Sequence, residues 1–198
     1  MNNCKLKQWE VTKTREVFSG EPWVRVSVQE VKLPNGRVVA DYFQIKLPEY
    51  SVIFAMTGDG MVVVERQYKH GLGRVSLTLP AGAIEEGEEP LDAAKRELLE
   101  ETGYQCEDWE FMGTFSMHGS YGCGNAHIFL AWGAQQKTQP ASGDLEDMEI
   151  LLMEPCDLTE ALWDGRVGLL GSAAAIALVQ LKLLNSGSHK TFGENVVT

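Results

Sequence analysis

The stretch GAIEEGEEPLDAAKRELLEETGY, residues 82–104, decides how the rest of the chain is read. Gly82 is followed after five residues by Glu88, after seven more by Arg96-Glu97-Leu98, and then by Glu100, Glu101, Gly103 and Tyr104. Pro90 suits a first helical position, where its missing N–H would have no partner anyway, and Gly103 suits the left-handed position just past a helix end. The spacing predicts a helix of about a dozen residues between them. On such a helix Leu91, Ala94 and Leu98 form one apolar face, and Glu97, Glu100 and Glu101 gather about a quarter turn away. Three carboxylates then crowd one patch beside the core.

Like charges at i, i+4 cost a helix about 0.2–0.5 kcal/mol, so Glu97 and Glu101 are poorly placed unless a cation neutralises them. Hard divalent ions, Mg²⁺ or Mn²⁺, take oxygen ligands, and magnesium keeps several waters while using a few carboxylates and substrate phosphates. Two such ions roughly 3.5–4 Å apart could activate a water and stabilise a leaving oxygen. Arg96, adjacent to the acids, is suited to orient them through its planar fork. The plain alternative is a solvated acidic face, and that is how Glu85, Glu86 and Glu89 are read.

The glycines, glutamates and arginine at these offsets resemble a Nudix box, with Tyr104 an aromatic where an aliphatic residue is usual. The resemblance implies hydrolysis of a phosphoanhydride attached to a nucleoside. It implies metal ligation by Glu97, Glu100 and Glu101 with the backbone carbonyl of Ala81, and catalytic parts for Glu100 and Arg96.

Composition bounds the reading. The chain has 198 residues, 44% of them hydrophobic, enough for one domain with a full core and an appendage. Lys and Arg number 17 against 28 acids, a net charge of −11. That balance argues against nonspecific nucleic-acid partners and anionic membranes, which want basic patches. An anionic small substrate stays possible, because bound metals invert the local field. Cys4, Cys106, Cys123 and Cys156 show no paired spacing, so reduced thiols in a cytoplasmic protein are expected. No apolar signal segment is visible at the N-terminus, and the apolar stretch Leu169–Leu184 is too short and too interrupted to span a membrane. A packed C-terminal helix is expected there.

Strands precede the helices. Val24, Val26 and Val28 alternate, Pro34-Asn35-Gly36 supplies a turn, and Val38, Ala40 and Tyr42 resume, so residues 22–47 read as a hairpin. Ser51–Met56 and Met61–Tyr68 around Gly58-Asp59-Gly60 read as a second. Further strands are expected at Val75–Leu79, Trp109–Ser116, Ala126–Trp132 and Met148–Met153. Asp157 and Glu160 suggest a capping box for a short helix closed by Gly165. From Ser186 the chain turns polar, and a loose tail is expected.

With LPNGR, VVVERQYKHG, LPAG before the box and HIFLAW after it, residues 22–184 resemble the ADP-ribose or ADP-sugar pyrophosphatase branch of the Nudix hydrolases. The resemblance implies a mixed α/β fold, an α/β/α sandwich over residues 49–185, with a dimerising N-terminal β extension (1–48) and a tail (186–198). It implies a homodimer that cleaves a nucleoside diphosphate sugar into a nucleoside monophosphate and a sugar phosphate. It places Trp23, Lys69 and Gly82 at the substrate, Trp23 as an adenine-stacking aromatic, and puts the general base on the acidic segment 143–149. Glu146 aligns best there, with Glu149 and Asp144 as alternatives. Relatives that prefer ADP-ribose tend to carry a proline about fifteen residues past the box, where this chain has Met117-His118-Gly119-Ser120-Tyr121-Gly122. GDP-mannose or another nucleotide sugar is therefore the alternative substrate. A non-catalytic ligand-binding regulator is the alternative of another class, which intact Glu100 and Glu101 disfavour.

Overall fold

The computed structural model describes residues 6–141, 143 and 147–188. These include eleven strands and three α-helices: β1 (Glu10–Gly20), β2 (Val24–Lys32), β3 (Val38–Lys46), β4 (Tyr50–Thr57), β5 (Val62–Lys69), β6 (Arg74–Thr78), β7 (Ala81–Ala83), α1 (Pro90–Thr102), β8 (Tyr104–Gln105), β9 (Asp108–His118), β10 (Gly122–Gln136), β11 (Met148–Met153), α2 (Pro155–Trp163) and α3 (Leu170–Ser188). The chain divides into two compact units, residues 1–49 with 115–125, and residues 50–114 with 126–198.

In the larger unit, β4 runs parallel to β10 and antiparallel to β7 and β5, and β5 also pairs with β6 and β11. The runs Val52–Ala55, Val62–Val64 and Ile128–Ala131 are unbroken apolar because both faces of these strands are covered. Ile53, Ala55, Val63 and Phe129 pack with Ala94 and Leu98 of α1. Phe54, Val62, Val64 and Leu130 pack on the other face with Leu158 and Ala161 of α2 and with Ala175, Ile176 and Val179 of α3. Full burial of a side chain such as Leu98 contributes about 1.5–3 kcal/mol. This is the expected α/β/α layering.

The smaller unit holds the N-terminal strands. The expected hairpin is present as β2 and β3, whose turn closes through Gly36 N–H to the Leu33 carbonyl at 2.9 Å. A third strand, β1, pairs antiparallel with β2 along nearly its whole length. Its sequence, EVTKTREVFSG, has charges on both faces, so no period-2 pattern marks it. The short helix α2 also differs in detail from the sequence reading. Pro155 opens it after Glu154, so Asp157 sits in its first turn rather than at its cap. The helix expected from Leu169 runs to Ser188, past the start of the expected tail; residues 189–198 lie outside the described part. No described helix is long and apolar enough to cross a membrane.

Candidate active site

Helix α1 starts and stops where the sequence says it should. Glu89 has extended backbone angles, Pro90 takes the first turn, and Gly103 closes the helix at φ 75° with its N–H on the Leu99 carbonyl at 2.8 Å. Gly103 is needed twice over, since a Cβ there would also strike the Thr138 carbonyl. Gly82 has a different constraint. On β7, paired with Ser51, it faces α1 so closely that a Cβ would land on the Glu97 carboxylate. The two box glycines thus let two backbones approach the helix, one at its end and one at its acidic face.

Arg96 organises that face. Its Nε and Nη2 donate to the two oxygens of Glu88 at 2.9 Å each, a bidentate pair, and Nη2 also reaches the Ala83 carbonyl at 3.0 Å. Nη1 donates to Glu97 Oε1 at 2.7 Å and to Glu100 Oε2 at 3.3 Å. Glu88 in turn accepts the Glu85 N–H at 3.0 Å, which closes the loop before the helix. Its hydrogen bonds from Arg96 hold the Glu88 carboxyl below the usual carboxylate range, and the same bonds hold Arg96 firmly protonated.

Glu101 is the buried member, 6% exposed, with Oε2 accepting the Ala81 N–H at 2.9 Å. Burial pushes its carboxyl well above the usual range, the negative charge of Glu65 raises it further, the Ala81 N–H pulls it back, and Glu97 adds to the rise. Glu65 lies on β5 and is itself buried, in contact with Gln67 and Thr78. Sequence reading passed over this residue. The signal was available, because Glu65 directly follows the apolar run Val62–Val64 and shares the inward parity of Val63.

An all-oxygen donor set this rich in negative charge suits a hard divalent cation. As the side chains stand, Arg96 occupies Glu97 and Glu100 while Ala81 holds Glu101. Among the described residues no three acidic, His or Cys groups converge on one point. A cation would draw Glu97 and Glu100 away from Arg96.

The other expected residues are distributed as follows. Lys69 ends β5 opposite Arg74. Trp23 lies in the other unit, in the turn between β1 and β2, 71% exposed. Glu146 and Asp144 fall outside the described residues. Glu149 is on β11 directly opposite Arg66, which donates to it at 2.9 Å. Since cross-strand partners share a face and Arg66 alternates with Glu65, Glu149 lies on the sheet face away from Glu65. Two histidines are tied locally: His118 Nδ1 accepts the Ser120 and Tyr121 N–H groups at 3.3 Å, and His127 Nδ1 is 3.0 Å from Thr114 Oγ1.

The NUDIX domain matches residues 47–168, and the nucleoside diphosphate sugar hydrolase N-terminal domain matches residues 9–45. The chain is 33% identical over 187 residues to the methanol dehydrogenase activator of Bacillus methanolicus, covering 94% of this chain and 99% of that one. It is 31% identical over 173 residues to the ADP-ribose pyrophosphatase of Bacillus subtilis, covering 84% and 90%. The crystal structure of an ADP compounds hydrolase shares the fold at a TM-score of 0.78 and 22% identity, covering 92% of this chain and 97% of the other. The chain belongs to the Nudix family, as a pyrophosphohydrolase of its nucleoside diphosphate sugar branch.

Proposed function

We propose that this chain hydrolyses the pyrophosphate of ADP-ribose or an ADP-sugar, consuming one water, breaking one P–O bond and releasing AMP with a sugar phosphate. The observation that carries the site assignment is the carboxylate face of α1, held by Arg96 and seated against Gly82. Glu97, Glu100 and Glu101 are the residues to hold Mg²⁺ or Mn²⁺, together with the Ala81 carbonyl. The bound ion supplies countercharge to the diphosphate and lowers the pKa of an attacking water. Arg96 keeps the acids oriented before the substrate arrives, and Glu88 keeps Arg96 oriented. Glu146 takes the water's proton. Of its alternatives, Glu149 is disfavoured by its pairing to Arg66 on the far face.

Lys69 meets phosphate and Trp23 stacks on adenine, the latter in a homodimer formed by the N-terminal strands. Support for the homodimer comes from β1, exposed in the single chain although it carries Val11, Val17 and Phe18. A panel of ADP-ribose, ADP-glucose, GDP-mannose and a nucleoside triphosphate, each with Mg²⁺ and product identification, tests the reading. ADP compounds should turn over fastest to AMP and sugar phosphate. Faster release of GMP from GDP-mannose would move the substrate to the alternative.

The Bacillus methanolicus relative, matched along nearly its whole length, supports a second reading in which the chain regulates a dehydrogenase. Addition of wild-type and Glu101→Gln protein to a methanol dehydrogenase assay separates the two. A regulator that only binds keeps its effect without Glu101, whereas a hydrolase loses it.

A further inference from the structure

Strand β5 carries an unusual inward side. Val63 is followed on the same face by Glu65 and Gln67, which are 1% and 3% exposed, and Thr78 across on β6 is 3% exposed. Gln67 Nε2 donates to Glu65 Oε2 at 2.9 Å and to Thr78 Oγ1 at 3.1 Å, while Thr78 Oγ1 donates to the same Glu65 oxygen at 3.2 Å. Two donors from two strands lock the Glu65 side chain in one orientation. Val63, on the same face of β5, packs with Ala94 and Leu98 of α1, so Glu65 lies on the sheet face covered by the helix that carries the buried Glu101, whose carboxyl accepts the Ala81 N–H at 2.9 Å.

A valine would continue the run Val62–Val64 at no polar cost, so a buried acid here calls for a countercharge. The Gln67 amide that grips Glu65 points the same way. Its Oε1 is buried and accepts no hydrogen bond among the described residues, so it is an acceptor left for a donor such as a cation-bound water.

We propose that Glu65 is a positioning residue of the cation site: with Gln67 and Thr78 it fixes the Glu101 carboxylate and adds a buried negative charge that strengthens divalent-metal binding. The proposal rests on the reading of Glu97, Glu100 and Glu101 as ligands. Partners of this kind behind a metal ligand affect affinity or activity by about 10–100-fold.

The test is calorimetric titration of Mn²⁺ alone into the full wild-type chain, Glu65→Gln, Thr78→Val and Glu101→Gln, each checked for folding by thermal melt. The expected result is a Mn²⁺ affinity at least tenfold weaker in Glu65→Gln, and a loss of threefold or more in Thr78→Val. A folded Glu65→Gln protein that binds Mn²⁺ within twofold of wild type overturns the proposal. Should Glu65→Gln not fold, Thr78→Val decides: a threefold loss supports the positioning role and an unchanged affinity refutes it. If Glu101→Gln binds Mn²⁺ as tightly as wild type, the ligand assignment itself fails and takes the proposal with it.

Discussion

Gly82 shows what a single missing Cβ can do for a site. The Glu97 carboxylate occupies the space that a side chain at position 82 would fill, so Gly82→Ala must push either β7 or the Glu97 side chain aside. Overpacking of this kind costs about 1–3 kcal/mol, and here the displaced group is a proposed ligand. We expect Gly82→Ala to melt at lower temperature and to bind Mn²⁺ more weakly, measured by thermal melt and titration. Unchanged values for both would mean that the Glu97 contact is dispensable. Glu88 allows a prediction with a sign. Arg96 holds its folded-state pKa below the ordinary value of 4.5, so its contribution to stability is present above that pH and lost as pH falls through the lower folded value. Glu88→Gln should therefore be less stable than wild type at neutral pH, with the gap closing below about pH 4.5 in denaturation series. A gap independent of pH would remove the ionised Glu88–Arg96 pair from the account. At this scale spacing was legible without its reasons: Glu88 was visible as a fixed position, but only its bidentate grip on Arg96 shows why an acid stands there.

Among the elements, α1 was legible to within a residue or two because proline, apolar face and terminal glycine agree. The strands β4, β5 and β11 were equally plain, since burial writes itself as apolar runs or alternation. The strand β1 was not, because it is held by backbone pairing to β2 while its side chains mix charged, polar and apolar residues without alternation. The three-residue β7 and two-residue β8 are too short to leave any period, although β7 is what brings Ala81 and Gly82 to the acids. Glu65 was hidden for the opposite reason: an acid within a strand reads as an outward residue until parity is counted. The β1 strand also motivates a prediction. An exposed strand with Val11, Val17 and Phe18 is suited to pairing with a second copy, so wild type should have twice the 21.9 kDa chain mass by light scattering. Phe18→Lys should shift it toward one chain mass. A wild-type monomer at micromolar concentration contradicts the assembly.

For the molecule as a whole, an acidic chain binding an anionic substrate is the paradox that the proposed cation site would resolve. With a net charge of −11, the protein repels a diphosphate unless a local countercharge reverses the field. In the proposed function the three carboxylates of α1 provide the seat for that countercharge, and Glu101 is the most deeply buried of them. The measurement that bears most directly on this is the turnover of ADP-ribose at saturating Mg²⁺ by folded Glu101→Gln protein beside wild type. The side chain keeps its shape and loses its charge, and we expect turnover to fall by a factor on the order of 10² or more, with the thermal melt still cooperative. Near-normal turnover in a folded, metal-saturated Glu101→Gln protein would contradict the claim that these carboxylates run the reaction.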